Sequence, residues 1–433
     1  MSLAGTKIAF PKNGDDMNFD CVPKAWLRAL LAAFLTCAMQ TAARADTDTG
    51  MLEAAQQAQP EVIRSLQHMV SIESGSNDAA GLQSMADYVE IRLRALGAKV
   101  DRRKGTTGPA EIITGTFSGS GTRRVMLMGH MDTVYPAGTI KDQPYRIEGG
   151  RIYGPGIADD KGGIALVLHA LQILKDAGWG DYAQLTVLFN GDEEIGSPGS
   201  GQLIAALAAQ HDYVLSCEPT PTRPEALLLG ASGTGTVWMD VWGRASHAGA
   251  APQIGRNALV ELAHQLLQTE DIASSVPGTQ LNWTMAKAGL VRNQIPEHAT
   301  AIGDLRLVDA DDFERIEAAL RERVRNKRVP GTETSIRVER GRPPFAAGAA
   351  ARALAARAQA IYAEIDRPLA LIEQTGAATD AGFAGSSGKA AVVESFGLAG
   401  SSYHARDEYI MIDSIVPRLY LMTRLLQDIG RSR

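Results

Sequence analysis

The chain has 433 residues, 45% of them hydrophobic and 21% charged, with a formal net charge of −6. That length favours more than one domain, and the balance suits a folded soluble protein. No basic run offers the electrostatic footprint of a nucleic-acid binder, so no nucleic-acid partner is expected.

The first feature in chain order is a processing segment. Lys24 and Arg28 precede the apolar run Ala29–Met39, and Ala43-Arg44-Ala45 has the small-x-small form of a cleavage site. The run is too short to span a bilayer comfortably. The expectation is a signal peptide with an upstream segment over 1–45, cleavage after Ala45, a periplasmic or secreted product and no membrane attachment afterwards. Cys21 and Cys37 fall in this segment. Cys217 stands alone in the rest, inside an apolar run, and reads as an inert buried thiol.

Met51–Ser71 and Ala79–Leu96 read as amphipathic helices. Lys99–Arg102 and Glu111–Phe117 read as strands with Gly/Pro/Thr turns between them. Val125–Met128 is a buried strand, and Gly129-His130-Met131-Asp132 follows it. A histidine there sits at a sheet rim, where open α/β folds place ligands. Asp132 is close enough to hold the other ring nitrogen. Alone, a His-x-Asp is more often a turn than a site.

The same event recurs. Asp159-Asp160 opens the helix Ile164–Ala177, Asp192-Glu193-Glu194 follows the strand Leu185–Phe189, and Glu218 follows Tyr213–Cys217. Helices alternating with apolar strands predict a mostly parallel sheet covered on both faces.

Near Gly230 the pattern changes. Thr236–Arg244, Gln280–Ala288, Thr300–Val308 and Thr334–Arg340 read as strands, with helices at Asn257–Gln268 and Asp311–Lys327. That order, β-α-β-β-α-β, is ferredoxin-like. It interrupts an α/β domain that resumes with the helix Ala350–Ile365, the strand Ala391–Phe396, a Gly/Ser loop reaching Tyr403-His404, and the helix Ser414–Ile429. The expected division is a catalytic domain in two segments, 46–230 and 342–433, with the insertion at 231–341. Loop solvation and helix capping explain each acid singly. They explain poorly why metal-type residues follow the strands that should be central.

Seven pieces, in order, carry a resemblance. They are Gly129–Val134, Tyr153–Gly163, Asp192-Glu193-Glu194, Ser216–Thr220, Ala245–Pro252, Gly341-Arg342-Pro343 and Tyr403-His404. The chain resembles the zinc aminoacylase/carboxypeptidase family of metallopeptidases, and within it the bacterial glutamate carboxypeptidases of the carboxypeptidase G type. The resemblance implies an α/β dizinc-peptidase domain with an inserted ferredoxin-like dimerisation and lid domain. It implies two Zn²⁺ per subunit bridged by Asp159, one held by His130 and Glu218 and the other by Glu194 and His404. It also implies a cis Asp159–Asp160 peptide. Glu193 is then the general base and Asp132 the orienting partner of His130. His247 crosses a homodimer interface to the other active site. Arg342 meets the free carboxylate of the leaving amino acid, and Asn293 lies near the reacting carbonyl. Where glutamate-specific relatives carry a lysine, this chain has Ala226. His68, His169, His211, His264 and His298 match no motif and read as helix-face or core residues.

The expectation is a homodimeric dizinc carboxypeptidase acting on a small peptide or N-acyl amino acid, folate-type substrates included. An N-acyl-amino-acid amidohydrolase, a dipeptidase and a metal-binding protein without catalysis remain as alternatives.

Overall fold

The computed structural model describes residues 47–432, so the expected signal segment and its cleavage point lie outside the described residues. Helix α1 (Thr49–Val70) starts at Asp48, whose Oδ1 accepts the Met51 N–H at 3.1 Å. Helix α2 (Ala79–Leu96) is capped by Asp78 and ends at Gly97, which takes φ 103° where a side chain would be strained. Then come β1 (Lys99–Lys104), β2 (Glu111–Ser118), β3 (Arg124–His130), α3 (Lys161–Asp176), β4 (Gln184–Asn190), α4 (Gly201–Ala208) and β5 (Tyr213–Ser216).

The next six elements form the insertion: β6 (Gly233–Trp242), α5 (Ala258–Thr269), β7 (Gln280–Ala288), β8 (His298–Leu307), α6 (Asp312–Arg323) and β9 (Glu333–Arg340). The chain returns through α7 (Ala349–Ala363), β10 (Ala391–Val393) and α8 (Ile415–Arg431).

The main sheet has the order β1-β2-β4-β3-β5-β10. Strands β4, β3, β5 and β10 run parallel, and β1 and β2 form an antiparallel margin. Side chains of β3 alternate between two cores. Val125 and Leu127 join the cluster built by α1, α3 and α8, whereas Met126 and Met128 join Ile204 and Ala208 of α4. Burial on both faces explains why this strand reads as a continuous apolar run. Helix α3 is buried from Lys161 through Leu171, a pattern possible only for a helix covered all round.

The insertion makes its own antiparallel sheet, β7-β8-β6-β9, over a separate core that includes Val237, Leu262, Leu305 and Ile316. Strands β6 and β8 alternate strictly between buried and half-exposed positions, as one-sided sheets do.

The structure departs from the sequence reading at three places. Strand β10 stops at Val393, short of Phe396, because Ser395 turns into the left-handed region at φ 69°. A five-stranded sheet of two- and three-residue strands, including Ala399–Ser401 and Tyr409–Met411, has no counterpart in the sequence pattern. His404 sits on the connection between those two strands, with φ 60°. His298 is neither on a helix nor in the core. It stands half-exposed on β8, stacked on Trp242 with ring centroids 3.8 Å apart, and pairs with Asp240 at 3.1 Å.

Candidate active site

The site grows from the rim of β3. Asp160 caps α3 by accepting the Gly163 N–H at 3.1 Å, and its other oxygen accepts the His130 N–H at 3.2 Å. A β-carbon at Gly129 would stand 2.3 Å from Asp160 Oδ2, and one at Gly163 would stand 2.2 Å from Oδ1. Only glycine permits either approach. Asp160 therefore ties the end of the strand to the start of the helix. The Asp159–Asp160 peptide is cis.

Asp159 then faces two imidazoles. Its Oδ1 lies 2.8 Å from Nε2 of His130, and its Oδ2 lies 3.4 Å from Nε2 of His404. Glu218 reaches to 3.6 Å from the His130 nitrogen, and Glu194 to 3.1 Å from the His404 nitrogen. Ligands about 2.1 Å from a tetrahedral zinc stand roughly 3.4 Å apart. The four donor separations scatter around that value. Two nitrogens and three carboxylates also make a suitable donor set for a divalent ion of borderline softness.

Electrostatics point the same way. Burial pushes the Glu218 carboxyl well up, and the Asp159 charge adds to the shift. Burial opposes protonation of His130, yet Glu218, Asp132 and Asp159 hold its pKa well above the ordinary value. Hydrogen bonds to Asp159 and Glu194 raise His404 to about 10. Acids and imidazoles that compete this strongly for protons fit a bound cation, which takes the place of those protons.

Asp132 links the surrounding loops. Its carboxylate accepts the Glu193 N–H at 3.0 Å, the Glu194 N–H at 3.0 Å and the Ser76 hydroxyl at 2.7 Å. Nδ1 of His130 meets the Asp132 carbonyl at 3.0 Å and its carboxylate at 3.3 Å. Both partners are acceptors, so Nδ1 carries the proton and Nε2 faces Asp159. The Asp132 carbonyl and carboxylate thus both meet the ring nitrogen that the sequence reading expects this residue to hold.

Glu193 pairs with Arg342 at 2.8 Å and with neither histidine. Arg342 is 7% exposed, a buried guanidinium. It also donates to the Ala378 carbonyl at 3.1 Å and approaches Asp380 at 3.4 Å. These groups open on a cavity of about 620 Å³, whose lining includes Arg306, Leu228, Ile372 and Tyr403 together with Asp159, Glu194, Glu218 and His404. Ala226 is buried on the same strand face as Leu228 and does not line the cavity.

His247 and Asn293 are brought to each other rather than to this cluster. A two-residue bridge joins Ser246–His247 to Gln294–Ile295, and the Ala248 N–H donates to the Asn293 carbonyl at 2.9 Å. Both residues are exposed, and neither lines the cavity. Nδ1 of His247 accepts the Gly249 and Ala250 N–H groups at 3.2 and 3.0 Å. Its Nε2–H is left as an outward donor.

Two supporting residues carry no signal in the sequence. Glu408, 1% exposed, accepts N–H groups from Gly156, Ala158 and Asp159 and the Tyr135 hydroxyl, all within 3.0 Å. It thereby fixes the Asp159 turn to the His404 loop. Asp380 accepts from Asn190 at 2.8 Å and from Ser197, and it backs Arg342.

A parallel sheet whose strand ends deliver one imidazole and two carboxylates, joined by Asp159 at a helix start and His404 on a neighbouring loop around a wide cavity, has the makings of a metal-dependent hydrolase. Comparison with known proteins agrees. The family model described as "Peptidase family M20/M25/M40" matches residues 126–428, and the chain belongs to that family. It is 44% identical over 410 residues to Carboxypeptidase G2 of Pseudomonas sp. (strain RS-16), covering 94% of this chain and 99% of that one. It is 28% identical over 276 residues to acetylornithine deacetylase of Myxococcus xanthus, covering 59% of this chain and 70% of the other. Among solved structures, aminopeptidase PepT of Bacillus cereus is similar in fold, with a TM-score of 0.72 and 19% identity over 86% of this chain and 99% of that one. The metallo-carboxypeptidase Sso-CP2 of Sulfolobus solfataricus gives a TM-score of 0.70 at 18% identity, again over 86% and 99%. The protein is thus a metal-dependent hydrolase of the M20 type.

Proposed function

We propose that the chain is a dizinc exopeptidase that hydrolyses the amide bond to a C-terminal amino acid bearing a free carboxylate. The carrying observation is Asp159, whose two oxygens face two different imidazoles, each with its own glutamate. His130 and Glu218 would hold one ion, His404 and Glu194 the other, and Asp159 both. The ions would supply Lewis acidity and a water acidified to near neutral pH. Glu193 would take the proton from the attacking water and pass it to the departing nitrogen as the C–N bond breaks. Arg342, in the same cavity, would hold the free carboxylate in a forked geometry.

The reading includes a homodimer made through the insertion. Strand β7 is a sheet edge, and Met285, Leu290 and Val291 beside it are 63%, 90% and 58% exposed. A second copy would cover this apolar surface. It would also give the outward Nε2–H of His247 a partner's site to serve. Export is part of the reading, supported by the basic, apolar and small-residue pattern of 24–45.

A second reading, an N-acyl-amino-acid amidohydrolase that releases an apolar amino acid, is favoured by the apolar wall of Leu228, Ile372, Pro219 and Pro221, beside which the leaving side chain would lie. The test is zinc analysis with hydrolysis of acyl-glutamates, acyl-leucines and dipeptides. Two zinc ions per chain with release of the C-terminal residue support the proposal. One ion, or cleavage of dipeptides alone, overturns it.

A further inference from the structure

A second cavity, of about 600 Å³, adjoins the first, and the two share one lining residue, Glu194. We infer that this second cavity is the acyl subsite and that it selects apolar, uncharged acyl groups over anionic ones. The inference rests on the proposed amide hydrolysis and adds the identity of the acyl half.

The first argument is position. The leaving amino acid, with its carboxylate on Arg342, lies in the first cavity with Glu193. The scissile carbonyl carbon sits between the base and the metal-type residues. Its acyl substituent points away from the nitrogen and needs room outside the first cavity. The second cavity is reached past Glu194, whose carboxylate stands 3.1 Å from Nε2 of His404.

The second argument is chemistry. Val134 and Ile195 line the trough and are 40% and 46% exposed, with Tyr135 and Pro136 continuing the apolar wall. The lining contains no Lys, Arg or His among the described residues, whereas Asp78 and Glu194 are both acids. An acyl chain that ends in a carboxylate would meet no cation and two like charges. An alkyl chain would cover exposed apolar surface, worth about 25 cal/mol per Å².

The third argument is rigidity. Ser76 on one wall and Glu194 on the other both donate to Oδ2 of Asp132, at 2.7 and 3.0 Å. The Ser76 N–H also holds the Thr133 carbonyl at 3.2 Å. The trough is therefore built before substrate arrives, and its selectivity costs little ordering.

The experiment compares kcat/KM for N-acetyl, N-hexanoyl and N-succinyl derivatives of one amino acid. Wild type and the variants Val134→Arg and Ile195→Asp are measured in the zinc-loaded full chain. Wild type should prefer hexanoyl to succinyl by at least 10-fold. Val134→Arg should move that ratio at least 10-fold toward succinyl, and Ile195→Asp should lower the hexanoyl-to-acetyl ratio at least 10-fold. A wild-type preference for succinyl, or shifts below threefold in both variants, overturns the subsite while leaving amide hydrolysis intact. Cleavage of none of the three by wild type removes the underlying functional reading as well.

Discussion

Oε1 of Glu193 lies 2.8 Å from Nη2 of Arg342, and the same guanidinium donates to the backbone carbonyl of Glu193. The proposed base and the proposed carboxylate anchor are therefore in direct contact. On the proposed function, an incoming substrate carboxylate would share or take over this guanidinium and free Glu193 to face the scissile bond. Binding of the leaving group and readiness of the base would then be coupled through this ion pair.

Glu193→Gln keeps an amide where the carboxylate was but cannot accept a proton. Zinc content should match wild type, while kcat falls at least ~10²-fold. Loss of zinc in this variant would place Glu193 among the ligands and sink its assignment as base.

Asp132→Asn tests the link between His130 and the Glu193–Glu194 turn. The amide cannot accept from all four donors at once. Zinc affinity, measured by competition with a chelator, should drop by about 10–100-fold with the circular dichroism spectrum unchanged. An unaltered affinity would show that the Asp132 carbonyl alone suffices to hold His130.

Arg342→Ala should lower kcat/KM by about 10²-fold or more on every substrate with a free carboxylate, because a charge-assisted forked contact is lost. Arg342→Lys should recover only part of this, since an ammonium cannot make the fork. With Leu228 on the cavity wall and Ala226 behind it, glutamate should be preferred over leucine as leaving residue by far less than 100-fold. A preference above ~100-fold, about 2.7 kcal/mol, would mean that another cation, such as Arg306 of the cavity lining, meets the second carboxylate.

His247→Ala and Glu193→Ala proteins should each be nearly inactive, yet mixing them under subunit exchange should restore some of the activity. Each mixed dimer would own one complete site. A fully active monomer in sedimentation would refute action across an interface.

His169 gives a pH dependence separate from the metal residues. It is 6% exposed and hydrogen-bonded to Ser65 at 2.8 Å, and burial, then the Arg92 charge, lower its pKa to about 4. The unfolded chain takes up this proton near pH 6.5, so between roughly 6.5 and 4 unfolding binds protons and stability falls as the pH drops. The loss is about 2 kcal/mol at pH 5. Urea midpoints at pH 7.5 and 5 should differ less in His169→Gln than in wild type. Equal differences in the two proteins would show that His169 is not the titrating group.

The features of the site that are legible in sequence are those tied to strand periodicity. His130, Glu193, Glu194 and Glu218 follow runs apolar on both faces, which only central strands of a covered sheet can be. Glu408 is not legible, because Arg406-Asp407-Glu408 reads as a solvated charge run until folding buries one member. The strands flanking the His404 loop are three residues each, too short to show a period. The pairing of Arg342 with Glu193 joins positions 149 apart in the chain, which no local pattern encodes. His298 escapes as well, because one face of β8 is left half-covered and its alternation marks neither a helix nor a core.

Cys217 turns the buried sheet into a clock. It is the one thiol among the described residues, fully buried, with its N–H bonded to the Met128 carbonyl at 2.8 Å and Glu218 next in line. Burial, with Asp160 nearby, raises the thiol pKa and keeps it unreactive in place. A sulfhydryl reagent can reach it only when the structure around it opens. With opening and reclosing faster than the chemical step, the labelling rate of the native protein therefore reports the population of the opened form, without a substrate or a spectroscopic probe. If zinc binds as proposed, slower labelling as it is added would weigh, in free energy, how firmly His130 and Glu218 tie the two strand ends together once it is bound.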